Sequence, residues 1–137
     1  MSNTQRLMAA LFLCGVLSGC STRGNADVAA DAVTRFHHNL DGALYQAILL
    51  DGTAEYRGNA GNAEYLKKAH EIGGKVQSTT GARLGSQNMG DTAQVTMLYK
   101  TKFEKGQGSE MFVWGVKDGH AKLMFYEVKG LPGLSLD

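Results

Sequence analysis

Past position 20 the chain has no cysteine; its two, Cys14 and Cys20, both fall at the N-terminal end. The domain that follows therefore has no thiol for a disulfide, a redox couple or a metal, and an oxidising compartment would leave it intact. An excess of either charge is also lacking. Fourteen Lys and Arg stand against thirteen Asp and Glu, with no basic face for nucleic acid and no acidic tail. H-E-x-x-H, C-x-x-C, G-x-G-x-x-G and P-loop patterns are all missing, so no metal, phosphate cradle or other cofactor is expected. There is no internal repeat and no low-complexity tract. At 137 residues one domain is the natural expectation.

What is present begins at the N-terminus. Arg6 precedes an apolar run from Leu7 to Leu17, long enough for the core of a signal peptide and too short to span a bilayer as a helix. The run closes on Leu17-Ser18-Gly19-Cys20, which resembles the lipobox of bacterial lipoproteins at all four positions. The resemblance implies recognition of Leu17, Ser18 and Gly19 by a signal peptidase, removal of residues 1–19, and a diacylglycerol thioether on Cys20. A thiol is needed for that bond, and a small residue before it opens the cleavage site. Two or more acyl chains hold firmly, at about 0.8 kcal/mol per buried methylene. Ser21, standing where Asp would imply inner-membrane retention, implies the periplasmic face of the outer membrane. Residues 20–26 then form a lipidated tether. The six residues from Cys20 to Asn25 reach at most about 20 Å, so the domain would work close to the membrane.

The expected domain covers residues 27–130. Asn25 or Asp27 can cap a helix to about Leu40, with Ala29, Ala32, Val33, Phe36 and Leu40 forming one apolar stripe. Asp41-Gly42 interrupts it, and Ala43 to Leu50 reads as a second helical piece. Tyr56 to Gly61 reads as loop, and Asn62 as the cap of a third helix, Ala63 to about Ile72. After Gly73-Gly74 the pattern turns to strand. Lys75 to Leu84 is a weak candidate and Gly85 to Gly90 a turn region. Thr92 to Glu104 alternates, with Ala93, Val95, Met97, Tyr99 and Phe103 on one side. Lys105 to Gly108 reads as a hairpin loop and Glu110 to Lys117 as the next strand. Asp118-Gly119 is a two-residue hairpin signal, and His120 to Lys129 is the last strand. Residues 131–137, after Gly130, read as a C-terminal tail. Helices first and strands after make an α+β domain, N-terminal helices packed on a curved antiparallel sheet of about four strands.

That order, with Gly-Ser-Glu-Met-Phe-Val-Trp at 108–114, Asp118-Gly119, Lys122-Leu123, Tyr126 and Val128, resembles the cystatin-like cone of the nuclear transport factor 2-like superfamily. More narrowly it resembles small bacterial lipoproteins carrying such a domain. The resemblance implies a sheet curled into a cone. It also brings enzymes into view, because cone-fold isomerases use a buried acid and a tyrosine; Tyr45, Asp41 and Asp91 invite that comparison. Fold alone does not decide function.

The residues weigh against catalysis. His37 and His38 point about 100° apart on a helix, and either can meet Asp41; this reads as a solvated helix side with a local ion pair. His70, Glu71 and His120 read as solvated side chains on the surface. Glu110, Lys100, Lys102 and Lys122 read as a cross-strand charge pattern on an exposed sheet face. The last two strands are apolar on both faces, so either Phe112, Trp114, Met124 and Tyr126 or Met111, Val113, Leu123 and Phe125 are surplus to one core. The first set is the candidate binding surface.

The expected function is a lipid-anchored periplasmic interaction module without catalytic activity, such as an immunity protein neutralising a toxic effector. Its partners would be the membrane, through the lipid, and an effector, an envelope component or a small apolar ligand. A small isomerase- or dehydratase-like enzyme, an apolar-ligand carrier and a structural envelope lipoprotein are the alternatives.

Overall fold

The structure is a computed structural model that describes residues 23–134. The lipobox Leu17–Cys20 and the last three residues lie outside the described residues. Four helices precede four strands: α1 (Asn25–Asp41), α2 (Tyr45–Leu50), α3 (Ala54–Gly58), α4 (Ala60–Gly73), β1 (Val76–Met89), β2 (Thr92–Phe103), β3 (Gly106–Lys117) and β4 (His120–Lys129).

Helix α1 buries Ala29, Ala32, Val33, Phe36 and Leu40, the stripe its three- and four-residue spacing predicts. Its N-cap is Gly24, and no side chain caps it. Leucine 44, not Asp41-Gly42, immediately precedes α2, because Ala43 takes a positive φ of 55° and turns the chain there. The segment read as loop contains α3. Thr53 supplies the signal, its Oγ1 accepting from Tyr56 N–H at 3.3 Å, and burial of the Tyr56 ring holds the short helix in place. Helix α4 starts three residues earlier than its reading, with Asn59 Oδ1 accepting from Gly61 N–H at 3.0 Å.

The strands form one antiparallel sheet in the order β1-β2-β3-β4. Strand β1 runs straight through the expected Gly85–Gly90 turn region, and the reversal falls at Gly90 (φ 68°) instead. Strand β3 starts at Gly106, so the loop before it is shorter than read. At Asp118-Gly119 both residues have positive φ, 50° and 73°, as a type I′ hairpin requires.

The cone expectation is corrected here, and with it the resemblance to the nuclear transport factor 2-like, cystatin-like superfamily. The sheet is open: β1 and β4 are its two edges and do not meet. Helices cover one face, with α1 packed across β2, β3 and β4. Two local devices occupy the β4 edge. Thr53 N–H donates to Leu123 C=O, and Leu123 N–H donates to Asp51 C=O, both at 2.9 Å. Further along, Val128 N–H donates to the Tyr65 hydroxyl at 3.0 Å. Helical connections, not a returning strand, finish that side of the sheet.

The core lies between α1, α4 and the covered sheet face, built from Phe36, Leu40, Leu66, Val95, Met97, Phe112, Trp114, Leu123 and Tyr126 among others. Alternation along β4 is broken once. Val113 pairs with Phe125 and Trp114 with Leu123, so Met124 is an extra residue, a β-bulge. Before it Ala121 and Leu123 point inwards; after it Tyr126 and Val128 do. A strict period-2 reading of β4 fails for that reason.

Candidate functional site

The interior holds a polar cluster that the sequence reading did not assemble. Glu110, on β3, is fully buried. Its Oε1 lies 2.9 Å from His37 Nε2 and also accepts from the Thr101 hydroxyl on β2. Its Oε2 accepts from the Tyr126 hydroxyl on β4 at 2.8 Å. Phe36, Phe112, Tyr99 and Tyr126 ring this cluster at centroid spacings of 4.5 to 5.8 Å. Three partners satisfy a carboxylate that burial would otherwise penalise heavily. Burial, followed by the charge of Glu110, pushes the Tyr126 phenol well above its ordinary value. Burial also pushes up Tyr56, Tyr65 and Tyr99. The cluster ties α1 to three strands.

Three expected placements are therefore corrected. Glu110 is inside, on the sheet face opposite Lys100, Lys102 and Lys122. His37 meets Glu110 and not Asp41, whose Oδ1 accepts from Val76 N–H at 2.9 Å. Asp41, Tyr45 and Asp91 do not converge. Tyr45 sits beside His70, ring centroids 6.3 Å apart, and Asp91 pairs with Lys117 at the far hairpin, whose ammonium holds the Asp91 carboxyl below the usual range. His70 Nδ1 is buried without a hydrogen-bond partner, Glu71 pairs with Lys67 on the surface, and His120 is exposed at its turn.

Of the candidate binding surface, Phe112, Trp114 and Tyr126 are core residues. Met124 alone stands on the uncovered face, where the bulge lays its sulfur over Gly115; a Cβ added at Gly115 would meet it at 3.3 Å. The surplus apolar area comes mostly from the other set. Leu98 is opposite Met111, and Val113 is opposite Phe125. Leu98 is 42% and Phe125 41% exposed. Leu123 drops out because the bulge turns it inwards.

This patch crosses β2, β3 and β4 on the face without helices. Exposed lysines surround it: Lys100 and Lys102 on β2, Lys122 and Lys129 on β4. Glu127, opposite Met111, is the carboxylate within it, 3.6 Å from Lys129 Nζ. An apolar centre with a charged, solvated rim is the anatomy of a protein interface.

The patch continues around the β4 edge. Met124 and Phe125 also line a cleft of about 560 Å³ against α3 and α4, with Tyr56, Tyr65 and Tyr126 on its wall. Among the described residues no group of His, Cys, Asp and Glu could hold a metal ion, and no helix is long and apolar enough to cross a membrane. Comparison with protein-family models, curated proteins and solved structures finds no match for this chain.

Proposed function

We propose that this chain is a lipid-anchored envelope module that binds an acidic protein surface through the uncovered face of its sheet. The observation that carries the reading is the Leu98, Met111, Val113, Phe125 patch with four lysines around it and one carboxylate within it. Apolar contact would supply the affinity at the centre, and the lysines would steer an acidic partner and set its register. Neutralising a toxic effector is one role that fits a small tethered binder. The lipobox supports the periplasmic, membrane-bound setting.

The test uses the full chain in its bacterial envelope. Cross-linking followed by identification of the captured protein is expected to recover an acidic partner. Val113→Asp and Phe125→Asp should lose it, Lys100→Glu with Lys102→Glu should weaken it at least tenfold, and Leu50→Asp, an exposed site on α2, should keep it. A partner retained by both Asp variants overturns the docking surface.

A second reading, carriage of a small apolar ligand, is favoured by the aromatic cleft, whose volume is in the range of small-molecule sites. Leu98→Asp separates the two. It lies away from the cleft, so it should abolish protein capture and leave displacement of an apolar fluorescent dye unchanged.

A further inference from the structure

The two edges of the sheet are treated differently. The β4 edge is occupied by Asp51, Thr53 and the Tyr65 hydroxyl. The β1 edge runs fourteen residues, and from Gln77 to Met89 no group of the described chain other than β2 takes a main-chain hydrogen bond from it. The described side chains of Gln77–Gly81 and Arg83–Met89 are exposed on both faces of β1. It contains neither proline nor lysine, and Arg83 is its one charge. Long edges of this kind pair with another strand unless something blunts them.

We infer that the occupant is β1 of a second copy, joined antiparallel about a two-fold axis through Ala82. The argument is one of register. Arg83, Gly81 and Thr79 stand on the helix side, opposite Met97, Tyr99 and Thr101 of β2. Thr80 and Ser78 stand on the uncovered side, opposite Lys100 and Lys102. At Leu84 the ladder skips one residue, so Gly85 is again on the uncovered side and Ser86 on the helix side.

A two-fold axis perpendicular to the sheet keeps each face on its own side. With Ala82 on that axis, Arg83 falls opposite Gly81 of the second copy. Beyond the Leu84 bulge, Gly85 meets Thr80, Ser86 meets Thr79 and Gln87 meets Ser78. Every pair matches in face, and Ser86 with Thr79 and Gln87 with Ser78 set hydroxyl or amide against hydroxyl, which favours cross-strand pairing. The same bulge serves both ladders. No two like charges stand directly opposite.

Gly81 also gains a purpose. The Tyr99 ring lies across it and fills the place a Cβ would take. In the dimer that ring meets the Arg83 guanidinium of the second copy, a cation–π contact. The product is one eight-stranded sheet with both Phe125 patches on the same side. This pairing uses a different surface from the proposed docking face, so either can fail alone.

Light scattering of the full chain in detergent, corrected for the micelle, is expected to show a dimer. Thr79→Lys with Ser86→Lys sets lysine against lysine twice and should yield monomer, while Thr79→Lys with Ser86→Glu should restore the dimer. Both positions are exposed, and unchanged circular dichroism checks the fold. Ala82→Cys should give a disulfide-linked dimer on oxidation, above the background from Cys14 and Cys20 seen in Thr80→Cys. A monomeric wild type, or a dimer indifferent to the double-lysine change and not cross-linked above that background at position 82, overturns the inference.

Discussion

Glu110 is the residue on which most of the interior polar organisation depends. Three donors converge on it from α1, β2 and β4, and removing one side of such a buried pair leaves the other unsatisfied. Glu110→Ala and His37→Ala are each expected to lower stability by about 1–3 kcal/mol, read from urea denaturation. Glu110→Gln keeps an acceptor for Thr101 and Tyr126 and should cost less. The tyrosines set a base limit. In the unfolded chain a phenol ionises near pH 10, but burial and Glu110 hold Tyr126 neutral to a higher pH in the fold. Between those values the unfolded state binds fewer protons, so stability falls as pH rises, and it is fully present below about pH 10. Urea midpoints measured from pH 8 to 11 should fall less steeply in Tyr126→Phe than in the wild type. None of this was legible locally. An acidic residue in a strand reads as solvent-facing, and its histidine is 73 positions away.

At the scale of elements, the short-range signals were the most legible. Helix α1 follows its apolar stripe, β2 buries Ala93, Val95, Met97 and Phe103 as alternation predicts, and Asp118-Gly119 turns as its residue types require. Where reading failed, a stronger local cue had been passed over. Thr53 and Asn59 cap α3 and α4 back to back, and each cap contributes about 1 kcal/mol. Thr53→Ala and Asn59→Ala should each lower the urea midpoint by a corresponding amount. Strand β1 is legible only to Leu84. Gly85 and Gly90 suggest a reversal between them, but twelve register pairs with β2 hold the chain extended to Met89.

For the whole molecule the decisive feature is the open sheet. An open sheet covered on one side leaves Leu98 and Phe125 in solvent. Among the described residues no helix covers the face on which docking is proposed. Cys20→Ala is expected to release the protein from membranes into the soluble fraction, read by fractionation and by loss of the lipid mass. A variant still processed and sedimenting with membranes would overturn the anchoring.

The sequence by itself determined which residues alternate, where α1 and β2 bury their apolar sides, and the Asp118-Gly119 reversal. These depend on the 3.6- and 2-residue periods and on backbone conformations available over a few positions. Only the tertiary structure decided that Glu110 is inside, that the bulge at Met124 sends Leu123 and Tyr126 to the same core, and that the sheet ends in two unlike edges. Each of these depends on contacts between segments far apart in the chain, where packing outweighs local preference.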